Sequence, residues 1–182
     1  MTTTTESTLQ LHPSGLILRR DQSDLGAEEI RRRFRARKLA RIAPGMYIRQ
    51  AQRPRHEEFR FRAAAAGLIH SGSIVTGPGG AALQGFGTLY PPKMKIDLVS
   101  PKVDGSASSG FCRLRGAAGD EKVLTVSGIH VTTPAVTAME TALLHGARMG
   151  LVVAESVLWA GRCTKKELAD AYAHTARRKG RS

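Results

Sequence analysis

Acidic residues are scarce in this chain. Its 182 residues include 15 Asp and Glu against 28 Lys and Arg, which gives a formal net charge of +13. Such an imbalance indicates a polyanionic partner, either a nucleic acid or an acidic membrane surface. Hydrophobic residues still make up 41% of the chain, so the sequence is that of a globular protein and not of a disordered basic tail.

Cysteines and long apolar runs are also scarce. The two cysteines, Cys112 and Cys163, form no CxxC pair and have no spacing suited to zinc. No apolar run reaches the roughly 18 residues of a membrane span, and the polar start MTTTTEST is unlike a signal peptide. These absences predict a reduced, cytoplasmic protein with no membrane partner.

The positive charge is concentrated at the two ends of the chain. Residues 1–62 carry 14 Lys and Arg against 7 Asp and Glu, whereas residues 63–176 carry 10 against 8. The last six residues add four more cations. This distribution predicts a basic binding domain over residues 9–50, joined by a polar linker to a different domain over residues 56–178.

The basic domain combines a cationic helix with residues that need burial. Eight Lys and Arg stand within residues 27–49, AEEIRRRFRARKLARIAPGMYIR. A helix is predicted from Ala27 to Lys38, with Ser23 or Asp24 as the N-cap and with Ile30 and Phe34 on its packing side. Pro44-Gly45 suits a type II turn between two short strands. Helix, turn, basic helix and hairpin together predict a small winged helix-turn-helix.

The cations of this helix and hairpin are the candidate binding residues. In helix-turn-helix proteins an exposed helix lies in the major groove, where arginine pairs with guanine and further cations neutralise phosphates. The alternative is a solvated charged face, because Glu28 and Glu29 stand at helical spacing from Arg32 and Arg33. The overall charge and the hairpin favour double-stranded DNA. The predicted contacts are Arg31, Arg32, Arg35 and Lys38 on the helix, with Arg41 and Arg49 on the hairpin.

The second domain mixes helical and strand patterns, which predicts an α+β fold for the chain. We expect a mixed domain with a small antiparallel sheet, followed by C-terminal helices. Two helix starts have clear local signals: Pro134 at the first helical position, and the capping box of Thr164 and Glu167. The predicted C-terminal helices span residues 134–145, about 147–160, and 165–178.

The second domain has no strong catalytic motif. Gly77-x-Gly79-x-x-Ala82 is superficially similar to a dinucleotide fingerprint, but the helix is too short for a βαβ crossover, so close packing of that helix is favoured. G-x-S-x-G and H-E-x-x-H are absent. Glu140 and Glu155 stand in apolar helices, where a structural ion pair, for example with Arg148, is favoured over acid–base chemistry. The sequence thus predicts neither enzymatic activity nor a cofactor.

Four segments together carry a resemblance to a known family. They are GLILRRDQSDLGAEEIRRRFRARKLARIAPGMYI at residues 15–48, IVTGPGGAALQGF at 74–86, GIHVTTPAVTAMETA at 128–142 and VVAESVLWAGRCTKKEL at 152–168. Each segment alone is weakly specific. Their order and spacing resemble those of the AbiEi-type antitoxin family.

The resemblance implies a winged-helix domain that represses its own operon, followed by an antitoxin domain. In such type IV systems the antitoxin counters a nucleotidyltransferase-like toxin, and a stable complex is not required. Many actinobacterial members continue into an endonuclease-like domain; this chain ends at RRKGRS, so we expect it to have no nuclease. The resemblance assigns the recognition role to Arg31, Arg32, Arg35 and Lys38, and two acidic positions of the antitoxin domain to Glu140 and Glu155.

Two other functions stay open at this point. The chain could be the DNA-targeting portion of an endonuclease-like protein whose catalytic domain was lost or is supplied by a partner. It could also be an RNA-binding module, which would prefer structured RNA over duplex DNA.

Overall fold

The computed structural model describes residues 9–89, 94–117 and 122–179. It divides into two compact units, Met1–Pro54 and Arg55–Ser182. Across the described residues the fold is mixed α+β, with six α-helices and two sheets. None of the helices in these residues is both long enough and apolar enough to cross a membrane.

The N-terminal unit packs one α-helix against a three-stranded antiparallel sheet. Its elements are β1 (Ile17–Leu18), a 3-10 helix (Arg19–Asp21), α1 (Asp24–Arg35), β2 (Leu39–Ala43) and β3 (Met46–Arg49). The strand order is β1-β3-β2, so the last strand lies in the middle of the sheet. The hairpin of β2 and β3 folds back next to α1, because Leu39 on β2 packs with Ile30 on that helix.

Local signals and a small core define α1 and the hairpin. The Ser23 hydroxyl accepts a hydrogen bond from the Gly26 amide at 3.3 Å, which confirms Ser23 as the N-cap. Ile30 on α1 is buried and packs with Ile17 and Leu39. Gly45 has φ +72°, the left-handed conformation that the predicted turn requires.

The first element of this unit and both ends of the basic helix differ from the sequence prediction, since the helix begins at Asp24 and not at Ala27. Where a first α-helix was expected, the chain has only the three-residue 3-10 helix, because the residues just before it form β1. The basic helix also ends at Arg35 and not at Lys38, since the backbone turns left-handed at Arg37 with φ 55°. Lys38 therefore lies beyond the recognition helix to which it was assigned.

Phe34 lies at the edge of the core, so its expected contribution to stability is smaller than that of a buried phenylalanine. Its ring is 43% exposed and contacts Tyr47 edge-on, with centroids 5.7 Å apart. A fully buried Phe would cost about 3 kcal/mol or more on truncation to alanine. For Phe34→Ala we expect about 1 to 2 kcal/mol, which is the loss of partial burial and one aromatic pair. Urea unfolding monitored by circular dichroism measures this, and a loss above about 3 kcal/mol would contradict the edge position.

The C-terminal unit builds helices around a six-stranded sheet. Its strands are β4 (Ile74–Thr76), β5 (Ile96–Ser100), β6 (Ser106–Ser109), β7 (Cys112–Gly116), β8 (Val123–Val126) and β9 (Ile129–Thr132). Its helices are α2 (Arg55–Ile69), α3 (Gly77–Leu83), α4 (Pro134–His145), α5 (Ala147–Trp159) and α6 (Lys165–Lys179). The bounds of α4 agree with the prediction. The capping box before α6 is also confirmed, because the Glu167 amide donates to the Thr164 hydroxyl at 3.1 Å and the Thr164 amide donates to the Glu167 carboxylate at 2.7 Å.

The sheet is larger and more mixed than the predicted antiparallel one. Its order is β6-β7-β5-β4-β9-β8, in which β5 runs parallel to β7 and β4 runs parallel to β9. Side chains alternate between its faces. Val75 lies on the face that meets α2 and α3, while Thr76 and Asp97 lie on the face that meets α4. This second face is polar although it is buried.

Candidate nucleic-acid interface

The end of α1 and the hairpin enclose an open cleft of about 840 Å³. Five cationic side chains and one carboxylate line it, so the lining has a net charge of +4 when all are ionised. We call it the cationic cleft. Its lining residues are Glu29, Arg32, Arg33, Ala36, Arg37, Lys38, Leu39, Arg49 and Gln50.

Backbone hydrogen bonds fix the floor of the cationic cleft. The Lys38 amide donates to the Arg33 carbonyl at 2.8 Å and the Arg37 amide donates to the Phe34 carbonyl at 3.0 Å, which together form the Schellman ending of α1. The Gln50 amide then donates to the Lys38 carbonyl at 2.8 Å and ties the end of the hairpin to its start. The cations therefore project from a backbone that these three hydrogen bonds hold in place.

Glu29 is the single carboxylate of the cleft, and it is 7% exposed. It accepts hydrogen bonds from Arg32, at 2.8 Å, and from Arg33. These bonds, first that of Arg32 and then that of Arg33, lower the pKa of Glu29 below its ordinary value of 4.5. Because the folded-state pKa is lowered, the contribution of Glu29 to stability is present above the ordinary pKa and is lost as pH falls through the lowered one. At neutral pH Glu29 holds two arginines in place.

The structure brings three of the six predicted contacts into the cationic cleft, namely Arg32, Lys38 and Arg49. Arg31 and Arg35 lie elsewhere, as does Arg41, which is exposed on β2 opposite Tyr47. Two further cations of the cleft, Arg33 and Arg37, were not among the predicted contacts. Arg37 could have been identified from its position between a helix and a hairpin, because a helix that ends there usually has glycine at this position.

Arg31 and Arg35 form the outer flank of α1. They stand four residues apart, so their side chains share one side of the helix, away from buried Ile30. Arg31 is tethered to Glu28, with Nη1 and Oε2 2.5 Å apart, but both side chains are more than half exposed. An exposed pair of this kind contributes at most about 1 kcal/mol. Both arginines can therefore turn toward a ligand at small cost.

The two acidic residues assigned to the antitoxin domain have different surroundings. Glu140 on α4 is 3% exposed, and its Oε1 lies 2.6 Å from Nη2 of Arg115 on β7. The suggested partner Arg148 is thus replaced by an arginine from the sheet. Glu155 on α5 is exposed. A structural ion pair therefore describes Glu140, whereas none is found for Glu155 in the part of the chain that the structure describes.

A second buried carboxylate, Asp97 on β5, lies on the same face of the sheet. Arg113 donates to its Oδ1 at 2.6 Å through Nε, and Nε2 of His145 lies 2.5 Å from its Oδ2. Asp97 is 3% exposed, whereas Arg113 is 42% exposed. The cluster joins β5, β7 and the end of α4.

The glycine-rich segment at α3 is explained by packing. A Cβ at Gly79 would lie 3.0 Å from Cγ2 of Ile96, and one at Gly80 would lie 3.2 Å from the carbonyl oxygen of Val75. Both glycines thus let α3 approach the sheet closely. Among the described residues, no group of three His, Cys, Asp or Glu side chains could hold a metal ion.

Neither cysteine is chemically activated. Burial raises the pKa of the Cys112 thiol to about 11, so it is protonated at neutral pH. Burial, with a smaller effect of the Glu167 charge, also raises the pKa of Cys163. The thiolate is the nucleophilic form of cysteine, and a raised pKa disfavours it. Both side chains therefore act as small packing residues.

Comparison with known proteins leaves the family of this chain unassigned. No protein-family model matches the sequence, and no curated protein matches it either. Functional inference therefore depends on the cationic cleft, on the outer flank and on the order of the sequence segments described above.

Proposed function

We propose that the chain binds double-stranded DNA selectively by sequence, and that it is the repressor and antitoxin of a type IV toxin–antitoxin operon. The observation that carries the DNA-binding part is the cationic cleft, where five cations face one carboxylate on a hydrogen-bonded scaffold. Cations on a fixed backbone favour phosphate binding because less loop ordering is required on association. The hairpin beside α1 supports a winged helix-turn-helix with a shortened first helix.

The cleft and the outer flank of α1 have different roles in this proposal. Lys38 and Arg49 in the cationic cleft neutralise backbone phosphates, which gives affinity and salt dependence. Arg31 and Arg35 on the outer flank read base edges in the major groove, because they project from the side of the helix opposite its core. Phosphate contacts set register, and base contacts set sequence preference.

A binding assay across a series of salt concentrations tests the DNA-binding proposal. The whole chain is titrated against the duplex upstream of its own reading frame, a scrambled duplex of equal length and a structured RNA. We expect tighter binding to the upstream duplex and a steep loss of affinity with salt. Equal affinity for the two duplexes would remove the repressor role, and a preference for the RNA would favour the RNA-binding alternative.

Two double variants separate the roles of the two surfaces. Lys38→Ala with Arg49→Ala is expected to weaken binding to both duplexes equally and to lower the salt slope by about two, at about 0.9 per phosphate contact. Arg31→Ala with Arg35→Ala is expected to remove most of the preference for the upstream duplex, since each paired base contact is worth about 1 to 3 kcal/mol. Each pair is the control for the other. Identical effects of the two pairs would contradict the division of roles.

The antitoxin part of the proposal is supported by the motif order that continues through α4, α5 and α6. The partner is a nucleotidyltransferase-like toxin, countered functionally without a required complex. Its test is co-expression of the whole chain with a nucleotidyltransferase-like protein encoded beside it. Restored growth supports the role, and undiminished toxicity at matched expression removes it.

A further inference from the structure

Arg37 has a backbone conformation that arginine rarely adopts. Its φ of 55° lies in the left-handed region, where a side chain crowds the backbone and glycine is favoured. It occupies the position just after the C-cap Ala36, which in a Schellman ending is usually glycine. The chain therefore holds strain at this position that a glycine would relieve.

Among the described residues, no hydrogen bond or ion pair of the Arg37 side chain offsets the strain. Arg37 is exposed, and within residues 9–89, 94–117 and 122–179 no hydrogen bond or ion pair to its guanidinium is found. The two backbone hydrogen bonds of the Schellman ending use only main-chain atoms, so glycine could form both. Strained residues of this kind cluster at binding sites, where the strain is part of the function.

The left-handed turn decides where the guanidinium lies. Had α1 continued, Arg37 would stand two turns beyond Ile30 and on the same buried side of the helix. The turn ends the helix instead and makes Arg37 part of the lining of the cationic cleft, beside Lys38 and Arg49. A strained backbone thus places the Arg37 guanidinium among cations that already indicate an anionic ligand.

We propose that Arg37 is a pre-positioned contact to a phosphate of the nucleic-acid backbone, and that its strained conformation is retained for this contact. The inference rests on the proposed function and adds to it a specific residue and ligand group. A planar guanidinium suits a phosphate because it can donate two parallel hydrogen bonds. The contact is to the backbone, so it carries affinity and not sequence preference.

Two variants of Arg37 separate its backbone from its charge. Arg37→Gly relieves the strain in the folded state, but it also raises the conformational entropy of the unfolded chain, which opposes the gain in stability. We expect a net rise in melting temperature of about 2 to 4 °C. Arg37→Gln keeps the strain, removes the charge and leaves the melting temperature unchanged. Both variants are expected to bind the upstream and scrambled duplexes about tenfold more weakly at moderate salt, with the salt slope lower by about one.

The outcomes distinguish this inference from the proposed function. Wild-type affinity for both duplexes in Arg37→Gln overturns the phosphate contact while DNA binding stands. Arg37→Gly with an unchanged or lower melting temperature overturns the strain. If the wild type binds neither duplex, the proposed function fails, and thermal melts with inorganic pyrophosphate then decide about Arg37. Stabilisation of the wild type that is weaker in Arg37→Gln supports the contact; equal or absent stabilisation overturns it.

Discussion

Replacing Asp97 with alanine is expected to lower the free energy of unfolding by about 3 kcal/mol or more. Asp97 is 3% exposed. Among the described residues it is the only carboxylate that contacts both Arg113 and His145. Removing one partner of a buried charge cluster costs about 3 to 5 kcal/mol, because the remaining charge stays buried without an opposite charge beside it. Arg113 is 42% exposed and can regain part of its hydration, which places the expected value near the lower end.

Urea unfolding of the whole chain, monitored by circular dichroism, measures this loss, because five of the six described helices that give the signal lie in the C-terminal unit. The matched control is Asp170→Ala, which removes an exposed carboxylate paired to Lys166 at 2.8 Å and is expected to leave the stability almost unchanged. Asp97→Asn, which keeps the shape of the side chain, is expected to fall between the two. Equal stability of Asp97→Ala and Asp170→Ala would show that the cluster contributes no more than a surface pair.

The sequence predicts those elements whose signals are local. The N-cap Ser23, the turn at Gly45 and the capping box of Thr164 and Glu167 each depend on residues within four positions of one another. Helix α4 also begins with Pro134 at its first position. The end of α1 was missed because Arg37 and Lys38 are good helix formers, and only their surroundings stop the helix.

The order of the six strands in the C-terminal sheet could not be predicted, because only the hairpins β6-β7 and β8-β9 are local and the other pairings are long-range. Strand β9 pairs with β4 across more than fifty residues, although neither strand shows which partner it takes. Strand β6 is Ser-Ala-Ser-Ser and is exposed along its whole length, so it lacks the alternation that identifies strands. The same limit hid the Glu140 partner, since Arg115 lies on a strand 25 residues earlier.

The candidate site was predictable in part for the same reason. Charge and helical spacing identified cations of α1, and the outer position of Arg31 and Arg35 follows from their distance along the helix from Ile30. The cationic cleft depends on the hydrogen bond from Gln50 to Lys38, which joins the two ends of the hairpin. Spacing alone does not show that contact, and so Arg37 was missed.

The other large expected effect is at Gly150, where α5 crosses α4. A Cβ at this position would lie 2.6 Å from Cα and 2.9 Å from the backbone nitrogen of Ala142. Neither atom can move without its helix, so α5 must shift away from α4. That shift loosens the core in which Val153 and Val157 pack against Ala138. Alanine favours helices by about 1 kcal/mol over glycine, but overpacking against backbone costs more, and we expect Gly150→Ala to lose about 3 kcal/mol net.

Thermal melts of Gly150→Ala and Gly87→Ala measure this cost against a matched control. A Cβ at Gly87 would lie 3.6 Å from the Ser156 hydroxyl, an ordinary contact, so the control is expected to change stability by no more than about 0.5 kcal/mol. Gly150→Ala is expected to lower the melting temperature by roughly 6 to 12 °C, at about 2 to 4 °C per kcal/mol for a chain of this length. Because helix propensity and overpacking act in opposite directions here, the sign decides between them. A higher melting temperature for Gly150→Ala would mean that propensity wins and that the two helices do not approach as closely as their backbones indicate.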